Sequence, residues 1–399
     1  MGKVYVVGTM DTKGPELRYA AERVRAAGAE AVLVDVGTQG VGEGADVSAM
    51  SVAAHHPDGV TAVLGLNDRG RAVTAMAKAL GAFLATRKDV GAVLGLGGSG
   101  NTALVSEAMR TLPIGTPKLM VSTVASGNTA PYVGPNDLAM IYSVVDVAGL
   151  NAISRKVIGN AAHAAAGMAL NTPPVAAADK PGLGMSMFGV TTACVTMVRQ
   201  AMEERHEVYI FHATGTGGQS MEKLADSGLV AGLIDVTTTE VPDLLVGGVF
   251  PATDDRFGSI IRTKLPYVGS VGACDMVNFG ARDTVPAKFD GRKFHVHNAQ
   301  VTLMRTTPDE NRQVGEFIVS RLNRMEGPVR FLLPLRGVSA IDAPGQSFHD
   351  PEADAALFDA IRSGWRDAPN RKLVELDLHI NDHAFADALV LNFHDLRSH

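Results

Sequence analysis

A chain of 399 residues is too long for one ordinary hydrophobic core, so two or three domains are expected. With 46% hydrophobic and 20% charged residues it can bury large cores, which excludes a disordered chain. The formal charge of −6 comes without a Lys/Arg block, which argues against a nucleic-acid partner, and no apolar run is long enough to span a bilayer.

The opening residues, Met1-Gly2-Lys3-Val4-Tyr5-Val6-Val7, read as the entry to a strand rather than a secretory leader. Val6 stands where a myristoylation signal needs Ser or Thr. Two cysteines, Cys194 and Cys274, are too few for a disulfide framework, so a reducing, cytoplasmic location is expected.

In chain order, Val4–Gly8 reads as a strand. Leu17, Ala20, Ala21, Val24 and Ala27 then fall at helical spacing until Gly28 stops the helix. Ala31–Val36 is the next strand, followed by a glycine-rich loop from Gly37 to Gly44. Val63–Leu66 is expected as a short strand and Ala72–Leu84 as a helix. Val90–Leu96 is a strand, with Leu104, Val105, Ala108, Met109 and Leu112 marking the helix after it. Leu119–Val124 and Ala139–Val145 supply two more strands, and the helix Gly149–Leu170 closes the first half. Continuous apolar strands separated by helices indicate a mostly parallel sheet covered on both faces.

Asn171–Lys180, with adjacent prolines, reads as the domain boundary. The pattern then restarts with strands at Leu183–Phe188, Val208–His212, Leu233–Val236, Tyr267–Val271, Val329–Leu335 and Leu373–Asp377. Helices are expected at Thr192–Glu204, Gln219–Ser227, Asp309–Met325, Pro351–Trp365 and Ala384–Leu396. The fold class is therefore α/β: two tandem Rossmann-like, doubly wound domains with mostly parallel sheets, residues 1–175 and 181–399.

Ligands of open α/β sheets bind beyond the carboxyl ends of the strands, so the loops there carry the functional reading. Gly95-Leu96-Gly97-Gly98-Ser99-Gly100-Asn101-Thr102 fits G-x-G-x-x-G between a strand and a helix, where backbone N–H groups can cradle a phosphate. A dinucleotide site is disfavoured, because the following strand ends without an acid and the loop is not the first of its domain. No G-K-[ST] follows, so it is not a P-loop. Thr9-Met10-Asp11-Thr12-Lys13-Gly14 follows the first strand with a carboxylate, hydroxyls and an ammonium, although Asp11 or Thr12 also suits a plain helix cap. Thr123 to Thr129 brings further hydroxyls, and Arg69 reads as a surface arginine.

In the second half, Cys194 falls in the first turn of a helix, a position that favours thiolate, although buried inert cysteine is the commoner case. His212 to Ser220 repeats the strand, glycine loop and helix start, and Asp235 to Glu240 ends another strand with hydroxyls and a carboxylate. His295-Val296-His297 places two imidazoles on one strand face with Arg305 nearby in sequence, but no third metal ligand has diagnostic spacing, so no metal site is assigned.

Taken in order, Asp11-Thr12-Lys13-Gly14, Val34-Asp35-Val36-Gly37, Gly97-Gly98-Ser99-Gly100, Ser186 to Thr192, Phe211 to Gly218, Asp235 to Glu240, Asp275 to Gly280, His297-Asn298, Gly337-Val338-Ser339 and His379 to Asp382 resemble one family. It is the uncharacterised bacterial and fungal family related to the N-terminal ATP-binding domain of the tomato mosaic virus resistance protein of plants. The resemblance implies two Rossmann-like subdomains, nucleotide binding and self-association as a homo-oligomer. The plant relative carries a further C-terminal barrel domain, so antiviral activity is not carried over. Ala193 departs from an expected proline and Cys274 from an expected aliphatic residue, which leaves Cys194 the better nucleophile candidate.

The leading expectation is an ATP- or nucleotide-binding protein, an enzyme on a small molecule held in the cleft between the domains. Gly97, Gly98, Ser99 and Asn101 supply the cradle, Lys13 a charge, and Asp11 or Asp35 a contact to ribose or magnesium, with Thr12, Thr123 and Ser126 as further cofactor contacts. A second expectation is a nucleotide-independent lyase or hydrolase of a carbonyl or carboxylate compound, in which Cys194, His212 and His297 do covalent or acid–base work and Arg305 holds an anion. A third is a protein-binding module gated by nucleotide.

Overall fold

Short Val- and Leu-rich runs become parallel strands, because β-branched residues buried on both faces favour that pairing. The computed structural model describes residues 2–39, 42–171 and 180–397 and divides into two units, Met1–Val175 and Ala176–His399. Residues 172–179, most of the expected boundary segment, lie outside the described residues. No helix among the described residues is long and apolar enough to cross a membrane.

Unit 1 holds β1 (Lys3–Gly8), β2 (Ala31–Asp35), β3 (Val90–Gly97), β4 (Lys118–Ser122) and β5 (Ala139–Tyr142). They form one parallel sheet in the order β2-β1-β3-β4-β5, with Val6 paired to Leu33 on one side and Leu94 on the other. Successive residues of β1 face opposite ways. Val4 and Val6 pack with Leu17, Ala21 and Val24 of the helix Met10–Ala26 and with Ile158 and Ala162 of the helix Ala152–Leu170. Tyr5 and Val7 pack with Met76, Leu80 and Phe83 of the helix Arg69–Ala85 and with Leu104 and Val105 of the helix Ser99–Thr111.

Unit 2 holds β6 (Gly182–Met187), β7 (Glu207–His212), β8 (Leu233–Thr237) and β9 (Tyr267–Gly272). A small antiparallel excursion follows, β10 (Met276–Phe279), β11 (Phe294–Asn298) and β12 (Val301–Arg305), before β13 (Val329–Pro334) and β14 (Arg371–Leu376). The main sheet is parallel and ordered β14-β13-β9-β8-β6-β7. Counted from its own first strand, unit 2 repeats the strand order of unit 1 with one strand added at the far edge. One face is covered by the helices Thr192–Met202 and His383–Arg397, the other by Thr216–Asp226, Pro308–Leu322 and Pro351–Gly364.

Three expectations need correction. Val63–Leu66 is not a strand: a 3₁₀ turn at Val60–Ala62 precedes it, and Val63 alone of the four is buried, so the segment has no continuous apolar face to pair into the sheet. The strand expected to run to Val145 stops at Tyr142, and Val144 takes a left-handed φ of 66°. The antiparallel sheet β10-β12-β11 was not foreseen as a unit, since its strands are short and polar at their ends.

Ile318 of the helix Pro308–Leu322 is fully buried in the core against which Trp365, the chain's single tryptophan, packs. Ile318→Ala should cost about 2–5 kcal/mol. The check is a urea titration followed by Trp365 fluorescence, with the midpoint falling and the slope unchanged.

Candidate functional site

In unit 1, β1 and β3 are neighbours whose following helices pack on opposite faces, so the two loops part and leave a crevice at their carboxyl ends. A cavity of about 380 Å³ lies there, bounded by Asp11, Thr12 and Lys13 after β1 and by Gly98, Ser99 and Asn101 after β3. Thr38, Gln39 and Arg69 complete its polar wall, and Val36, Val73 and Leu104 its apolar one.

The loop after β3 is shaped by close contact. A Cβ on Gly97 would stand 2.7 Å from Cβ of Asn101, so only glycine lets the chain turn there. The Asn101 amide donates back to the Leu96 carbonyl, and Thr102 N–H returns to the Gly98 carbonyl at 2.9 Å. The amides of Ser99, Gly100 and Asn101 find no acceptor among the described residues and form the open N-terminus of a 13-residue helix. A Cβ on Gly100 would lie 3.8 Å from Nη2 of Arg69, which brings that guanidinium to the same turn. Neither Arg69 nor Lys13 meets a carboxylate among the described residues. The crevice thus combines three unmet amides with two uncommitted cations.

Not every residue assigned to this site from sequence reaches it. Asp35 is buried, and its Oδ1 accepts from the amides of Met10 and Gly37, both at 2.9 Å. It orders the loops from behind rather than facing a ribose or a metal. Gly97 shapes the turn without lining the cavity, and Thr123 lies against Gly98, 3.8 Å from a Cβ built there. Ser126 is exposed and lies outside the cavity wall. Arg69, Thr38 and Gln39 were missed as site residues, since each comes from a loop whose direction the sequence does not reveal.

The same place in unit 2 is already filled. Between β6 and β8, Ser186 Oγ donates to Asp235 at 2.5 Å and accepts from Thr237 N–H at 2.9 Å, while the Thr191 and Thr237 hydroxyls meet at 2.8 Å. The glycine loop after β7 is closed as well. Glu240 Oε1 accepts from the amides of Gly215 and Gly218 at 2.7 and 2.9 Å, taking the position of a bound anion. Arg256 ties the cluster together, 2.8 Å from both Glu222 and Asp235 and 3.3 Å from Glu240. Burial raises the Glu222 and Glu240 carboxyls, with Arg256 opposing the shift.

The four residues assigned covalent or acid–base roles occupy four unlike surroundings. Cys194 is fully buried among Leu183, Met185 and Phe393, and burial pushes its thiol up to about 12. The helix end that was to favour its thiolate is capped by Asn381, whose Oδ1 accepts the Cys194 amide at 3.2 Å. Cys274 is equally buried, its thiol also raised to about 12. His212 is exposed and stacks on Phe188 with ring centroids 5.2 Å apart; its partial burial lowers its pKa. His297 is exposed on β11. Arg305 is buried and committed to Asp354 at 2.7 Å and to the carbonyls of Phe348 and Asp350, so it has no free face for a substrate anion. Among the described residues no group of three His, Cys, Asp or Glu side chains could hold a metal ion.

Fold and crevice together define a tandem Rossmann-like α/β protein with an open crevice at the strand-order reversal of unit 1. The chain belongs to the uncharacterised protein family UPF0261: residues 2–174 match its N-terminal domain and residues 180–397 its C-terminal domain. It is 55% identical to a UPF0261 protein of Mesorhizobium japonicum, over the full length of both chains. It is 42% identical to a UPF0261 protein of Clostridium tetani, over 97% of each. It is also 42% identical to the ToMV resistance protein Tm-1(GCR237) of Solanum lycopersicum, over 98% of this chain and 55% of the tomato protein.

The raised thiols give a direct check. At neutral pH iodoacetamide should label neither Cys194 nor Cys274 in the folded protein, and both after unfolding. Peptide mass spectrometry reads the outcome, and rapid native labelling of Cys194 would contradict the placement.

Proposed function

We propose that unit 1 binds a nucleotide, ATP in the first instance, with its phosphates at the N-terminus of the helix Ser99–Thr111. The observation that supports this reading is the convergence of three unmet helix amides, Lys13 and Arg69 on one crevice at the strand-order reversal. Amides and a helix end recognise phosphate oxygens, while the two cations neutralise the chain of charges. Asp11, exposed at the mouth, is the carboxylate available to a phosphate-bound magnesium ion. Thr38 and Gln39 face the remainder of the ligand with hydrogen-bonding groups. The size of the cavity, about 380 Å³, falls at the lower end of the range typical of small-molecule sites.

This reading includes an enzymatic use of the nucleotide on a small molecule, a cytoplasmic location where ATP is abundant, and self-association. The Mesorhizobium japonicum relative matches over its full length and the Clostridium tetani relative over 97% of its length, so both units are shared with them. No observation favours a covalent set of Cys194, His212 and His297.

Calorimetric titration of ATP tests the site. Lys13→Ala, Arg69→Ala and Gly98→Val should each weaken binding by about tenfold to a hundredfold, the effect of losing about 1.5–3 kcal/mol of charged hydrogen bonding. Gly98→Val is expected to stay folded, because a Cβ there meets only Thr123 Oγ1, at 3.8 Å. Ser126→Ala should leave affinity unchanged. ATP affinity unaffected in all three folded variants would overturn the assignment.

A further inference from the structure

Unit 2 contains a larger cavity, about 870 Å³, at the carboxyl ends of β13 and β14 and beside the first turns of the helix Pro351–Gly364. Its lining includes the apolar Leu335, Pro344 and Phe358 and the polar Arg336, His349, Asp354, Arg362, His379 and Asp382.

The charge around it is unbalanced. Arg305, which comes from β12, faces Asp354 at 2.7 Å and Asp342 at 3.7 Å, and Asp275 acts on the same guanidinium. Asp275 accepts the Ser339 hydroxyl through Oδ2 at 2.8 Å, and Asp342 accepts the Val338 amide through Oδ2 at 2.9 Å. The other oxygen of each, Oδ1, is buried without an N–H or hydroxyl donor, and among the described residues the Asp354 carboxyl is the one group that can share a proton with Asp342. One guanidinium therefore stands against three carboxylates. The rim arginines do not correct this, since Arg336 is committed to Asp377 at 2.6 Å and Arg362 to Glu375 at 2.5 Å and Asp359 at 2.7 Å. Asp382 adds a further negative charge, with the His379 amide as its donor at 2.8 Å. Both ring nitrogens of His379 are already engaged, by the Ser339 carbonyl and the Asn381 amide, whereas Nδ1 of His349 is buried without a partner.

We propose that this cavity binds a small primary amine, its ammonium group seated between Asp354 and His349 and a short apolar tail lying along Leu335, Pro344 and Phe358. A buried excess of carboxylate is costly unless a positive group or a proton offsets it. In the empty cavity the proton does so: burial and the neighbouring Asp342 hold the Asp354 carboxyl well above the usual carboxylate range. An ammonium at that place supplies the positive charge, so the Asp354 proton leaves to solvent as the amine enters. Binding is thereby coupled to proton release. This site uses none of the residues of the nucleotide crevice and stands or falls separately from it.

The test uses the full chain and three probes with the same tail and different charge: n-butylamine, butyrate and butanol. Butylamine should bind by calorimetry, shift the His349 resonances of ¹⁵N-histidine-labelled protein, and release up to about one proton in a pH-stat at neutral pH. Butyrate and butanol should do none of these. Ala355→Trp, at an exposed helix position lining the cavity, should leave the circular dichroism spectrum unchanged and weaken butylamine about tenfold or more. Asp354→Asn should remove the proton release. Butyrate or butanol binding as well as butylamine, butylamine binding unmoved by Ala355→Trp, or no butylamine binding at all would each overturn the proposal.

Discussion

A parallel strand delivers the chain into a helix, and the first amides of that helix have no partner within it. Several polar side chains of both units answer this one requirement. Asp35 receives Met10 at the start of the first helix, and Asn151 caps the helix Ala152–Leu170. In unit 2, Asn381 receives Cys194, Glu240 receives Gly215 and Gly218, and Thr307 and Asp350 cap the two helices that cover the far face. Against that background the uncapped turn at Ser99–Asn101 stands out, and it is uncapped where Lys13 and Arg69 also lack carboxylates.

The shared strand order makes the contrast between the units informative. Both sheets reverse direction after their second strand, so both have a crevice where the fold can receive a ligand. In unit 2, hydroxyls of Ser186, Thr191 and Thr237 close that crevice, and the carboxylate of Glu240 occupies the adjoining glycine loop. A Cβ on Gly218 would overlap the Glu240 carboxylate, which shows how tightly the internal anion is seated. The glycines of the two loops thus serve different ends: in unit 1 they leave room, and in unit 2 they admit a side chain.

Unit 2 also buries two arginines, each among several acids. Arg256 has Glu222, Asp235 and Glu240, and Arg305 has Asp275, Asp342 and Asp354. Removing either guanidinium would strand its carboxylates in the interior, a change more damaging than the pairs themselves are stabilising. The two clusters differ in access. Asp235 and Glu240 beside Arg256 are fully buried, whereas Asp354 forms part of a cavity wall.

The alternation of strands and helices, the two-unit plan and the parallel sheets were legible in the sequence, because runs such as Val90–Leu96 and the helical face of Val314, Ile318 and Leu322 encode their burial locally. So was half of the crevice, since Asp11, Thr12, Lys13, Gly98, Ser99 and Asn101 sit where a strand ends and a helix begins. Tertiary structure alone decided the rest. Cys194 lies in a first helical turn by sequence, but only packing shows its sulfur in the core and another residue at the cap. Asp35 and Glu240 look like ligands until their partners are seen, and Arg69 looks like solvent until it is found beside Gly100. The physical reason is the same in each case: periodicity records which face of an element is buried, whereas an acceptor's role depends on which distant amide or cation the fold brings to it.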